Sequence, residues 1–335
     1  MQRLAAHHES RERGASGVLV AIMMLAMIGA GALAVDTGQI YAERAELQNG
    51  ADAGALAAVD LCAESGCTQA NADALAAALA NSNAKDTQSA VQSVNLSVQG
   101  EVTVTTSTKD GTTNAGFLSK MFASVLNAPA ATVGATATAK WFYPTKGVAV
   151  LPLALATCEF EDDGMPHKIL THGGAQDCNG LNPSNQIIPG GFAWLKPDVT
   201  GGCEVTAEVD KWSLTDGGVG VPNGCQDLLD PSKNPSLANS TVALPVYKYT
   251  CDGMSAAQFG QCKGSTVQYY IEKWAGFKIQ AWNFTGQAKH DPTNVFTKSE
   301  TGIYGTFVGY SADPNHFSGG SITPNGNVIV IGLIK

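Results

Sequence analysis

Basic residues are scarce in this chain. Its 335 residues hold 20 Lys and Arg against 29 Asp and Glu. Setting aside Arg3, Arg11, Arg13, Glu9 and Glu12 at the start leaves 17 basic and 27 acidic side chains. A surface of that sign does not neutralise phosphates, so nucleic acid is not an expected partner. Catalytic signatures are also missing. There is no Gly-x-Ser-x-Gly elbow, no phosphate-binding Gly-rich loop ending in Gly-Lys-Ser/Thr and no His-Glu-x-x-His. No Cys-x-x-Cys pair occurs, which argues against structural zinc. No Cys precedes Cys62. No Pro interrupts residues 36–61, and no ionisable side chain lies between Arg13 and Asp36.

That last gap is the strongest feature present. Gly14 to Val35 is a run of 22 residues without charge. As a helix it spans roughly 30 Å, the thickness of a bilayer's hydrocarbon core. The apolar part of a secretory signal is usually shorter, about 7–15 residues. Length therefore favours an anchor, carried by Val18, Leu19, Ile22, Met23, Leu25, Ile28, Leu33 and Val35. Ala32-Leu33-Ala34 has the small-x-small form of a cleavage site, and cleavage there would release a secreted protein. Arg11 and Arg13 precede the run, and no Lys or Arg follows until Arg44. The positive-inside tendency then places residues 1–13 in the cytoplasm, 14–35 across the membrane and the remainder outside.

The eight cysteines, Cys62, Cys67, Cys158, Cys178, Cys203, Cys225, Cys251 and Cys262, all follow the apolar run. An even number in an oxidising compartment reads as disulfides. Sequence alone does not fix their connectivity. The spacing suggests four local loops joining neighbours in order, each worth roughly 2–4 kcal/mol.

Beyond the anchor the chain reads as α+β. Asp36 to Leu61 is helical, with Leu33, Ile40, Leu47, Gly54 and Leu61 recurring every seventh residue as a narrow stripe. Ile40, Leu47, Ala51, Asp52 and Ala53 are candidates for helix contacts with a partner. Thr68 to Ala80 reads as a second helix capped by Thr68. Val94–Val98 and Val102–Thr105 alternate around Gly100 as a hairpin. Asn114 to Leu126 has helical spacing, and Thr132 to Trp141 is strand-like. From Pro144 onward Pro, Gly and aromatic residues concentrate. Strand candidates there are 148–155, 191–195, 241–249, 268–271, 277–284, 302–310 and 327–333, a β-rich domain over 143–335 after a stalk and small α+β unit over 36–142.

The stretch RERGASGVLVAIMMLAMIGAGALAVDTGQIYAERAELQNGADAGALAA resembles the N-terminal segment of the TadE/TadG-like proteins of Flp (Tad) pilus assembly. It shares the basic-Gly start, the long apolar helix, Val35-Asp36-Thr37-Gly38 at its exit, Tyr41, and the Leu47-Gln48-Asn49 to Ala58 run. Phe117 to Trp141 is similar to the segment that follows in longer members. LPLALATCEF, GGFAWL, LPVY, WAGFKIQAWNF and IYGTFVGY are similar to the Cys-containing outer region of a bacterial subset. The resemblance implies a single-pass bacterial membrane protein attached to a Tad-type pilus or related secretion system, an accessory or pseudopilin-like component whose outer domain docks on other parts. It implies a structural role and no cofactor. The helix stripe adds contacts of helical residues with those proteins, and the cytoplasmic membrane is the expected location. No Glu lies in the apolar run, so prepilin processing is not expected. Asp230-Pro-Ser232 is followed by Asn234 where a von Willebrand A metal motif needs a second Ser, so that site is not expected either.

Other chemistry reads as weak. His167 and His172 follow Glu159, Glu161, Asp162 and Asp163, a group that could hold a metal or act as an acid–base pair, but that reads more simply as an exposed acidic loop. Trp194, Trp212, Trp274 and Trp282 could form a carbohydrate platform, and read more simply as core. A secreted carbohydrate-binding protein or hydrolase is the competing expectation.

Overall fold

The computed structural model describes residues 13–65, 67–85, 87–109, 116, 120–123, 129–171, 174–217, 220–260, 262–263 and 266–334. Arg11, His172 and most of the expected 114–126 helix lie outside the described residues. The chain forms two compact units, residues 1–139 with 333–335, and residues 140–332.

The first unit is built on one helix, α1 (Arg13–Ser65), of 53 residues. With no Pro to remove a backbone donor, it runs unbroken from the apolar run into the polar segment. A second helix, α2 (Gln69–Asn83), starts where the Thr68 hydroxyl accepts the Asn71 amide at 3.3 Å. The two helices meet through small residues. Ala51, Ala55, Ala58 and Val59 of α1 and Ala72, Ala76 and Ala80 of α2 are all buried. A Cβ at Gly50 would stand 3.1 Å from the Ala80 Cα, and one at Gly54 would stand 3.3 Å from the Ala76 Cα. Glycine is therefore what lets the axes approach. Strands β1 (Ser89–Asn95) and β2 (Glu101–Thr108) form an antiparallel hairpin, and β3 (Gly134–Phe142) lies on the other side of β2. The first strand begins and ends earlier than its alternation suggested. Val98 belongs to the turn, which closes with Gly100 at φ +82°. Thr103 and Thr105 meet Thr138 and Thr136 through their hydroxyls across β2 and β3.

The second unit is β-rich. Its strands are β4 (Lys146–Ala149), β5 (Leu153–Ala156), β6 (Pro166–Leu170), β7 (Phe192–Trp194), β8 (Val205–Glu208), β9 (Trp212–Leu214), β10 (Thr241–Thr250), β11 (Gln268–Asn283), β12 (Lys289–His290), β13 (Gly302–Phe307), β14 (Tyr310–Ala312), β15 (Phe317–Ser318) and β16 (Val328–Ile334). The main sheet has the order β6-β13-β11-β10-β5-β7, with β9 and β12 also pairing with β11. β10 and β5 are parallel and the other neighbours on that path antiparallel. A smaller sheet has the order β15-β4-β8. Alternation divides the main sheet between two cores. Leu153 and Leu155, Val242 and Leu244, and Phe277 and Ile279 enter one. Ala154 and Ala156, Ala243 and Tyr247, and Tyr269 and Ile271 enter the other.

Several expected strands are redrawn. The 148–155 run is two strands, because Pro152 cannot donate to a ladder and its carbonyl instead accepts the Leu195 amide at 2.7 Å. The 268–271 and 277–284 candidates are one 16-residue strand, β11. Gly276 looks like a break, yet a Cβ there would lie 2.5 Å from the Val308 carbonyl, so glycine marks a close approach inside a continuous strand. The 302–310 run is divided between β13 and β14. Four disulfides are present, Cys62–Cys67, Cys158–Cys178, Cys203–Cys225 and Cys251–Cys262. Trp194, Trp274 and Trp282 are core residues and offer no platform, whereas Trp212 is only half-buried.

Candidate membrane anchor and its exit

The N-terminal part of α1 exposes its apolar side chains in every direction. Val18, Leu19, Ile22, Met23, Leu25, Ile28, Leu33 and Val35 are all open, Leu25 and Leu33 each to 70%. Their helix is long and apolar enough to cross a bilayer. A bare apolar cylinder of this length has no stable place in water, and lipid is the solvent that suits it.

At Asp36 the environment changes within one residue. Asp36 is 5% exposed. Its Oδ1 accepts the Phe122 amide at 2.9 Å and its Oδ2 the Ala123 amide at 2.6 Å. Gln39 Oε1 accepts the Met121 amide at 3.2 Å. Two side chains of α1 thus hold three successive backbone donors. A carboxylate buried beside an apolar run needs such partners, since leaving it unpaired would carry a large desolvation cost. This tie joins positions 86 residues apart and carries no local sequence signal.

Further along, the covered stripe turns inward. Leu47 is 1% exposed and packs with Val133 and Ala135, with Ile40 at the rim. The Thr106 hydroxyl donates to the Leu47 carbonyl at 2.9 Å. Ala51 is buried, and Asp52 accepts the Gln48 side-chain amide at 2.8 Å. Leu47 and Ala51 are therefore occupied within their own unit, which corrects the expectation that they meet a partner. The stripe marked a packed face without saying whose surface covers it. Ile40, Asp52 and Ala53 are half-buried, while Ala42, Ala45 and Asn49 of the same helix face solvent.

The acidic loop does bring its residues together. His167 Nε2 lies 2.8 Å from Asp163 Oδ1, and Nδ1 lies 3.5 Å from Glu161 Oε2. The ligand atoms of the three residues all fall within 4.8 Å of one another. The hydrogen bond from His167 and the Met165 amide hold the Asp163 carboxyl below its usual range. Glu161 and Asp163 are open to solvent, which is the setting of an ordinary surface ion pair. Glu159, on the neighbouring turn, is different. Burial pushes its carboxyl up, although its Oε1 accepts the Gly191 amide at 2.7 Å. It lines a polar groove of about 480 Å³ with Lys168 and Asp177. Asp230 accepts the Ser232 amide and hydroxyl at 2.9 and 2.7 Å, a self-contained turn.

No curated protein and no solved structure matches the chain. A family model described as putative Flp pilus-assembly TadE/G-like matches residues 14–63, the span that contains the bare apolar helix, the Asp36 exit and the α1 face packed against α2. Over that segment, and not over the rest of its length, the chain is TadE/TadG-like.

Proposed function

We propose that the chain is a membrane-anchored, non-catalytic structural component of a Tad (Flp)-type pilus or a related secretion assembly, pseudopilin-like in its use of one N-terminal helix. Residues 1–13 lie in the cytoplasm, 14–35 cross the bacterial cytoplasmic membrane, 36–142 form a stalk with its small α+β unit, and 143–335 form an outer domain. The observation that carries this reading is the division of α1 into an apolar half whose large side chains are exposed and a half packed on its own unit. Anchor and soluble fold share one rigid helix, as suits a part that transmits position rather than performs chemistry. The family match over residues 14–63 supports the same setting. Arg11 and Arg13 set the orientation. Contacts with other assembly proteins run along the solvent side of α1, through Ala42, Ala45 and Asn49 and the rims at Ile40, Asp52 and Ala53.

Fractionation with intact-mass and N-terminal analysis tests the anchor. A membrane-bound chain retaining residues 17–36 is expected. A soluble chain beginning at Val35 would instead mark a cleaved signal and favour a secreted binding protein or hydrolase. Affinity capture of the full chain from solubilised membranes should recover pilus or secretion components. The double variant Ala42→Lys, Ala45→Lys should lose them while keeping a native unfolding transition. Undiminished capture would remove the helix-contact part of the proposal.

A further inference from the structure

Met121 and Phe122 are large apolar side chains left open, at 61% and 42% exposure. They belong to the short stretch held by Asp36 and Gln39, described here over residues 120–123. Their height along α1 can be worked out. Val35 is the last residue of the apolar run, and Asp36 and Gln39 follow by one and four positions. At ~1.5 Å per residue the two tethers lie within about 6 Å of the end of that run. The tethered amides sit 2.6–3.2 Å from those side chains. A bilayer's headgroup layer is roughly 5–8 Å thick on each side of the hydrocarbon. Tyr41 is exposed to 71% on the same helix, about 9 Å past Val35. Helical side chains lean toward the N-terminus, so its ring leans toward the membrane, where Tyr belts are found.

We propose that Met121 and Phe122 form a second, interfacial contact with the membrane, set to headgroup depth by the Asp36 and Gln39 tether. This rests on the reading of residues 14–35 as a spanning helix. The occupant is lipid and not a protein partner, because the two side chains are tied to Asp36 and Gln39, one and four positions after the exposed apolar run that ends at Leu33 and Val35. Inserting these two side chains at the lipid surface fixes α1 at two points. The first unit can then neither slide along the membrane normal nor spin about the anchor axis.

The test uses the full-length chain in vesicles of phosphatidylcholine and phosphatidylglycerol. Tryptophan emission is read for Met24→Trp and Phe122→Trp after subtraction of the parent chain's signal. Lipids brominated deep in the acyl chain, or close to the glycerol, serve as quenchers. The expected result is deep quenching for Met24→Trp, and shallow quenching with a blue-shifted maximum for Phe122→Trp. Adding Asp36→Ala should remove the shallow quenching and shift the emission to the red. Deep quenching at position 24 with none at 122 overturns the interfacial contact and leaves the anchor standing. A blue-shifted but unquenched 122 points to burial against protein and overturns it equally. An unquenched 24 removes the anchor and the proposal with it. Unchanged quenching in the Asp36→Ala background overturns the tether.

Discussion

Replacing Gly54 by Val tests whether small residues bring α1 and α2 together. A Cβ at Gly54 would meet the Ala76 Cα at 3.3 Å, its Cβ at 3.4 Å and its carbonyl oxygen at 3.5 Å. Most of those atoms are backbone, so they cannot turn aside. A single methyl at this position needs a few tenths of an ångström of give. The two γ carbons of Val need on the order of an ångström or more, which only a separation of the helix axes supplies. The interface at risk is Ala51, Ala55 and Ala58 against Ala72, Ala76 and Ala80, all buried. Each methyl withdrawn from water is worth ~0.8 kcal/mol, so the six together set an upper limit of about 5 kcal/mol. Partial separation loses part of that, and overpacking generally costs about 1–3 kcal/mol. Against this, leaving glycine improves helix propensity by less than ~1 kcal/mol. The expected net loss is about 1–2 kcal/mol. In hydrogen exchange of the full-length chain it appears as roughly 5- to 30-fold weaker protection of the α2 amides. The second unit should exchange as before. Gly54→Ala has nearly balanced terms and should move protection by only a few-fold. Unchanged α2 protection in Gly54→Val would refute the close-approach argument, because the structure leaves no other room for those carbons.

Two further outcomes follow from polar groups withdrawn partly or wholly from solvent in the second unit. Burial raises the Glu159 carboxyl, so the folded state holds its proton at a pH where the unfolded chain has released it. Its contribution is fully present below the ordinary range of a free glutamate and is lost as pH rises through the folded value. Glu159→Gln keeps an oxygen for the Gly191 amide and removes the titration. Its thermal midpoint should therefore gain on the parent's as pH climbs from about 4 to neutrality, and parallel curves would contradict the assignment. Trp282 is fully buried and its indole donates to the Leu229 carbonyl at 2.8 Å. Trp282→Phe should cost about 1–3 kcal/mol in denaturant unfolding, since it leaves that carbonyl without its donor. Trp274 is as deeply buried, but its indole nitrogen has no hydrogen-bond partner among the described residues. Trp274→Phe should therefore cost less than Trp282→Phe, and the reverse order would show that ring volume, not the hydrogen bond, sets the loss.

The helical half of the fold was legible because its signals are local. A run of 22 uncharged residues, an unbroken polar continuation and Thr68 ahead of an alanine-rich segment each specify helix from a few neighbouring residues. The β-rich character of the second half was legible for the same reason. Boundaries failed where glycine and proline had two meanings. Gly276 signals a break in sequence and a close packing contact in space, and Pro152 cuts a run whose composition is uniform. Short strands such as β8, β9 and β15 hold too few residues for alternation to register.

The site divides along the same line. The anchor needed only composition. The heptad-spaced stripe gave the covered face of α1 but not its cover, since Leu47 looks alike against a partner helix or against Val133 and Ala135. An alanine-rich interface lacks the contrast between large apolar and polar residues from which burial is usually read, so Gly50 and Ala76 gave no sign of being the contact, and Gly54 showed only as the stripe's missing apolar place. Asp36 is the sharpest case. In sequence it is the charge that ends the apolar run. In space its carboxylate also holds the Phe122 and Ala123 amides. Both roles follow from one requirement, because an acid at the edge of lipid must either reach water or find donors. Here the donors come from a segment that brings Met121 and Phe122 with it, so the residue that ends the apolar run also holds the next exposed apolar side chains in place.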